Sequence, residues 1–203
     1  MTPLFSTAYF PPIAYMAAMA RFPKVEVETK ETFQKQTYRN RMEILTANGV
    51  HCLIVPVQRA NHSRTDEVGI DYSNRWNVIH FRTLTAAYAA SPFFMYYKDD
   101  IEGLLMRHYE RLIDLNDAAL AWVLAKLKIQ SRTEHTTDYS LECGEEQDYR
   151  SRFTPKKYYP TDGMKPYYQV FSDRMPFVPN LSVLDLLMNI GPEANNYLES
   201  LKI

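Results

Sequence analysis

The residues best placed to do chemistry in this sequence fall within positions 33–64, FQKQTYRNRMEILTANGVHCLIVPVQRANHSR. Lys35, Arg39, Arg41, Arg59 and Arg64 stand there against one acid, Glu43, in a chain whose formal net charge is −1. On an extended segment the odd spacing of Lys35, Arg39 and Arg41 turns all three to one face, with Gln34, Gln36, Tyr38 and Asn40 on the other. Guanidinium forks in such a row suit a diphosphate or a carboxylate, because each can donate two parallel hydrogen bonds. A solvated strand face with surface ion pairs is the competing reading. Arg59, His62 and Arg64 return after the apolar run at 53–57, where a loop following a strand commonly holds binding groups. His62 can act there as a general acid or base, since its unperturbed pKa of ~6.5 already lies near neutrality. An ordinary exposed loop histidine fits the same position. Tyr9, Tyr15 and Tyr38 can stack on a base or a sugar, or simply pack half-buried.

Other chemistries find little support. No His, Cys or carboxylate spacing matches a metal site, so no metal and no cofactor are expected. Six glycines, widely scattered, supply neither a P-loop nor a dinucleotide fingerprint. No Gly-x-Ser-x-Gly is present to hold a serine nucleophile. Cys52, inside an apolar run, is expected to be buried and inert, and Cys143, among Glu142, Glu145 and Glu146, has its thiolate disfavoured by like charge.

The elements that must position these groups read as an α/β fold. A tyrosine-tipped apolar strand at 4–10 meets Pro11 and Pro12, which end it and open a helix at 13–21. Val25-Glu26-Val27-Glu28 then alternates as a half-buried strand does. This strand-helix-strand unit suggests a ligand near the carboxyl end of the first strand, at Tyr9, Phe10 and the helix start. A hairpin follows, 42–45 turning at Ala47-Asn48-Gly49 into 50–57, the second strand apolar enough to be central. After a short strand at 68–72, Trp76, Ile79, His80, Thr83, Leu84, Ala87 and Tyr88 share one helical face, and His80 reads as a hydrogen-bonded core histidine. Two helices are expected over 99–128 with a break at Asn116, then short strands at 136–141 and 167–171. Ser182 and Asp185 stand at capping-box-like spacing ahead of a helix stopped by Gly191. The expected architecture is a strand-helix-strand unit and a mixed sheet flanked by a helical central segment, in a single domain over residues 1–203.

With 46% hydrophobic residues the chain can bury a substantial core. Its near-zero net charge argues against a nucleic-acid partner. The uncharged first twenty residues lack a cationic start and are broken by Pro3, Pro11 and Pro12, so neither a secretory signal nor a membrane span is expected. A reducing compartment follows from the two unlike cysteines, and a folded cytoplasmic N-terminus is expected from the first twenty residues.

Seven segments, in order, resemble the WbqC-like protein family: Tyr-Phe-Pro-Pro-Ile-x-Tyr from Tyr9, Gln-Lys-x-x-Tyr-Arg-Asn-Arg from Gln34, Leu-Ile-Val-Pro-Val from Leu53, Trp76-x-x-x-His80, Ala-Ser-Pro-Phe-Phe from Ala90, Asp114-Leu115-Asn116, and Leu-Ser-Val-Leu-Asp-Leu-Leu from Leu181. The resemblance implies a role in O-antigen or other surface-polysaccharide biosynthesis, transferring an acyl or aminoacyl group to a nucleotide-linked amino sugar. In that reading Lys35, Arg39, Arg41, Arg59 and Arg64 hold the phosphorylated ligand, Tyr9 and Asn40 orient the acceptor, and His62 moves the proton. A non-catalytic module binding a nucleotide- or lipid-linked sugar is the alternative. The oligomeric state is left open.

Overall fold

The computed structural model describes residues 2–58, 62–139, 144, 147–155 and 163–202. Strand β1 (Leu4–Ser6) leads through Pro11 and Pro12 into helix α1 (Ile13–Met19), all seven of whose residues are buried. A helix apolar all round belongs inside a core rather than on a surface. Its first N–H groups have no side-chain cap of their own; Ile13 N donates to Leu181 O (3.0 Å) and Ala14 N to Asn180 Oδ1 (2.8 Å). The C-terminal part of the chain thus closes the start of α1. Strand β2 (Lys24–Glu28) pairs parallel with β1, and completes the strand-helix-strand unit expected from the sequence.

The other flank of β2 is taken by β7 (Arg132–His135), again parallel, giving the order β1-β2-β7. That strand lies earlier in the chain than the expected 136–141; positions 140 and 141 are outside the described residues. A central strand with both neighbours parallel is covered on both faces, and even Glu28 at its end is fully buried.

Strands β3 (Arg41–Thr46) and β4 (Gly49–Ile54) form the expected hairpin, and β5 (Val57–Gln58) pairs with β6 (Gly69–Ile70). Each antiparallel pair is a separate two-stranded sheet, so the chain is α/β with one parallel sheet and two small antiparallel ones. The expectation of a central second hairpin strand is corrected: among the described residues β4 pairs on one side only, with Val50 52% and Ile54 44% exposed. Cys52 within it is half-buried, and burial pushes its thiol pKa up.

Helix α2 (Trp76–Tyr88) buries Trp76, His80, Leu84, Ala87 and Tyr88 as the periodicity predicts, although Ile79 faces outward. Helices α3 (Phe94–Met106) and α4 (Leu112–Leu127) are separated at residues 107–111, not at Asn116. Asn116 does not break α4 because its amide has tertiary partners and does not compete for the helix's own backbone. The segment 167–171 is no strand: 167–169 are irregular and a turn begins at 170, closed by Ser172 N to Gln169 O (2.9 Å). Helix α5 (Val183–Ile190) is capped by Ser182, whose Oγ accepts from Leu184 N, and ends at Gly191 with φ 54°. Asp185, rather than completing a capping box, receives Tyr88 Oη, Tyr167 Oη and Gln169 Nε2 in the core. Helix α6 (Ala194–Ser200) follows. Among the described residues no helix is long and apolar enough to cross a membrane.

Candidate functional site

Because β1, β2 and β7 are parallel, their carboxyl ends share one edge, and the polar residues just beyond them gather there: Ser6 and Thr7, Glu28 and Thr29, His135 and Thr136. Open parallel sheets place ligands at this edge. Glu28 is fully buried; its Oε1 accepts from Lys30 N (2.7 Å) and Thr136 Oγ1 (2.9 Å), and Oε2 faces Arg150 Nη1 at 3.4 Å. Arg150 also grips Asp148 through two parallel contacts, Nε to Oδ1 (3.0 Å) and Nη2 to Oδ2 (2.6 Å). This fork holds the Asp148 carboxyl below its usual range. The Tyr139 ring lies 5.5 Å from the guanidinium carbon of Arg150.

A second buried pair continues the network. Arg39, only 2% exposed, donates from Nε (2.8 Å) and Nη2 (2.5 Å) to the same oxygen, Oε1 of Glu31. Among the described residues Glu31 Oε2 takes no hydrogen bond. Burial raises the Glu31 pKa above the ordinary carboxylate value; Arg39 pulls the other way, and the negative charge of Glu28 adds to the rise. Arg39 O accepts from Asn116 Nδ2 (2.8 Å), which also reaches Thr7 Oγ1 (3.0 Å), so α4 pins the Arg39 backbone to the end of β1. The Oδ1 atoms of Asn116 and Asn40 are buried without a partner among the described residues.

The expectation of an extended row over 34–41 is corrected. Residues 35–36 and 38–39 form turns, with Gln36 at φ 60°, so Lys35, Arg39 and Arg41 do not share a face. Lys35 is exposed, Arg39 is drawn inward by Glu31, and Arg41 is half-buried at the start of β3. Asn40 is buried, its Nδ2 donating to Val55 O (2.9 Å). Tyr9 is also fully buried, with Oη 3.1 Å from His80 Nδ1 and its backbone N bonded to Tyr38 O (2.8 Å). His80 is thus the hydrogen-bonded core histidine expected, its pKa lowered by burial to about 4.

His62 is exposed, at φ 61°, and Arg64 is exposed and paired with Asp66 (3.0 Å) and Glu67 (3.4 Å). Arg59 lies outside the described residues. The return of the chain after the apolar run does meet the first segment, but at residues 29–33: Phe33 N bonds Ser63 O (2.9 Å), Thr65 N bonds Glu31 O (2.9 Å) and Asp66 N bonds Thr29 O (3.0 Å). The structure therefore brings Tyr9, Arg39 and Asn40 into the interior and leaves Lys35, His62 and Arg64 on the surface. Glu28, Glu31, Thr136 and Arg150 are not among the site residues expected from the sequence, and Asn116 is expected there only as a helix break and as part of the Asp114-Leu115-Asn116 segment. That segment and the position of Glu28, an acid closing a strand in a strand-helix-strand unit, are the local signals for them.

Fold and site together define an α/β protein with buried, charge-compensated carboxylates at the carboxyl edge of a parallel sheet. The chain belongs to the WbqC-like protein family, matched over residues 7–197. It is similar to an uncharacterized protein of Mycobacterium tuberculosis, Rv1507c, at 27% identity over 220 residues, covering 94% of each chain. No solved structure gives a significant match.

Proposed function

We propose that the protein is a cytoplasmic transferase that moves an acyl or aminoacyl group onto the amine of a nucleotide-linked amino sugar in surface-polysaccharide biosynthesis. The observation that carries the reading is Glu31: a carboxylate 6% exposed, held by Arg39 through one oxygen, with its pKa raised. A base with a raised pKa takes a proton from a developing ammonium more readily than an ordinary carboxylate. In the transfer, the amine nitrogen attacks the acyl carbonyl carbon and a C–N bond forms. The bond from that carbon to the donor's leaving group breaks, and the amine proton passes to Glu31 Oε2. The leaving group departs with the bonding pair and is protonated in turn. Lys35, Arg41 and Arg64 meet the phosphates in this reading, and Tyr9 and Asn40, both buried, support the site from the interior.

Incubation with a panel of nucleotide-linked amino sugars and acyl thioesters, followed by mass spectrometry, tests the proposal by the mass gained on the sugar. Glu31→Gln is expected to lower turnover by roughly 10²–10⁴-fold, the usual worth of a positioned acid or base. His62→Ala is expected to leave turnover within about threefold if Glu31 is the base; loss of turnover in His62→Ala with retention in Glu31→Gln reverses the assignment. Saturable sugar-nucleotide binding with no mass gain for any donor supports the binding-module alternative instead.

A further inference from the structure

At the opposite end of α4 from Asn116, a cavity of about 580 Å³ opens between α3, the α4 terminus and the start of α6. Asn116 and Leu127 are separated by roughly 16 Å along the helix at 1.5 Å per residue, so this cavity is distinct from the buried charge network. One wall is aromatic. Tyr96 is 75% exposed, and its ring stands perpendicular to Tyr97 at 5.1 Å, leaving a flat apolar plate facing solvent.

The second wall is cationic, and its two lysines differ. Lys126 Nζ is tied to Asp100 Oδ2 at 2.7 Å and lies 5.9–6.0 Å from the rings of Tyr96, Tyr97 and Trp122, so its charge is largely met. Lys128 has no ion pair among the described residues and is exposed. It occupies the C-cap of α4 in the left-handed conformation, φ 57° and ψ 29°, a slot that glycine or asparagine fills at little cost. A cation near a helix carboxyl terminus suits the dipole, which accounts for the charge but not for placing a side chain in the left-handed slot. Backbone outliers of this kind concentrate where a side chain has a task.

The third wall is formed by two amides. Asn195 Nδ2 donates to Glu199 Oε1 (3.0 Å) and Asn196 Nδ2 to Glu193 Oε2 (2.9 Å), which uses one N–H of each amide and leaves each side chain a second donor and a carbonyl acceptor. A flat plate, an uncompensated ammonium and amides that can both donate and accept together match a ring with a polar edge that is joined to one anion.

We infer that this cavity is a second ligand site that takes a nucleoside monophosphate, with the base stacked on Tyr96, its polar edge on the Asn195 and Asn196 amides and the phosphate on Lys128. The same moiety occurs free and as part of a nucleotide-linked sugar, and the inference does not rest on the transferase reading.

Calorimetric titration with UMP, AMP, uridine, ribose 5-phosphate and inorganic phosphate tests it. Saturable one-site binding of UMP or AMP is expected, at least tenfold tighter than ribose 5-phosphate or uridine. Tyr96→Ala and Lys128→Gly should each weaken it by tenfold or more, and Lys128→Gly should leave Tm unchanged or higher. Arg82→Ala, on the exposed face of α2 and outside this cavity, should not alter it. Absence of saturable binding by both nucleotides overturns the inference. Ribose 5-phosphate binding as tightly as UMP, full affinity in Lys128→Gly, or loss of binding in Arg82→Ala overturns it equally, as does a lowered Tm in Lys128→Gly.

Discussion

Replacing Glu31 by Gln tests whether the charge network is dry. Glu31 is 6% and Arg39 2% exposed, and both guanidinium contacts fall on one carboxylate oxygen. The substitution leaves the buried Arg39 guanidinium facing a neutral amide. Breaking a buried pair from one side costs about 3–5 kcal/mol, because the remaining ion is desolvated without compensation. For a chain of this length that is a fall in Tm of about 6–20 °C. The double variant Glu31→Gln with Arg39→Met removes both charges at similar volume and should recover most of the loss, giving a coupling energy of about 2 kcal/mol or more between the sites. Urea denaturation of the wild type, the two single variants and the double variant supplies the cycle. A cost below about 1 kcal/mol for Glu31→Gln, with no coupling, would be the behaviour of a hydrated surface pair and would refute the account of a desolvated site.

Two further perturbations probe other parts of the fold. At Gly191, with φ 54° and ψ −123°, an added Cβ meets the Phe93 ring at 2.5–2.7 Å; Gly191→Ala should therefore cost about 2–5 kcal/mol from backbone strain and overpacking together, and an unchanged Tm would mean the ring moves aside freely. His80, lowered by burial to about 4 from its ordinary 6.5, binds its proton less tightly folded than unfolded. Its contribution is complete above 6.5 and lost as pH falls from there through about 4, amounting to about 3 kcal/mol. An NMR titration of the His80 ring should find a midpoint near 4, and a midpoint near 6.5 would show a solvated imidazole.

What the sequence made legible was local. The strand-helix-strand unit could be read because apolar periodicity and Pro11-Pro12 act within a few residues, and the ends of α5 because Ser182 and Gly191 act on adjacent backbone. The charge network could not, because its pairings are non-local: Thr136 to Glu28 spans 108 residues and Arg150 to Glu28 spans 122. The cation excess of 34–64 was a matter of where the window began. Glu31 stands just before it and neutralises Arg39, while Asp66 stands just after it and pairs with Arg64. The helix break was misplaced for a related reason. An asparagine in mid-helix competes with the backbone only when nothing else bonds it, and Asn116 has Thr7 and the Arg39 carbonyl, neither visible from its neighbours in sequence.

The order β1-β2-β7 has a consequence for how the chain folds. The first two strands and α1 can assemble from local contacts, but the third strand arrives only after the hairpin and all of α2, α3 and α4 have been made. Closing a loop of that length is slow, since its entropic cost falls before any pairing repays it. Until β7 docks, one edge of β2 is unpaired and Glu28 has neither Thr136 nor Arg150. The half-built sheet therefore offers an open edge to other chains during synthesis, and Glu28 at its end is a charge that resists burial against a wrong partner.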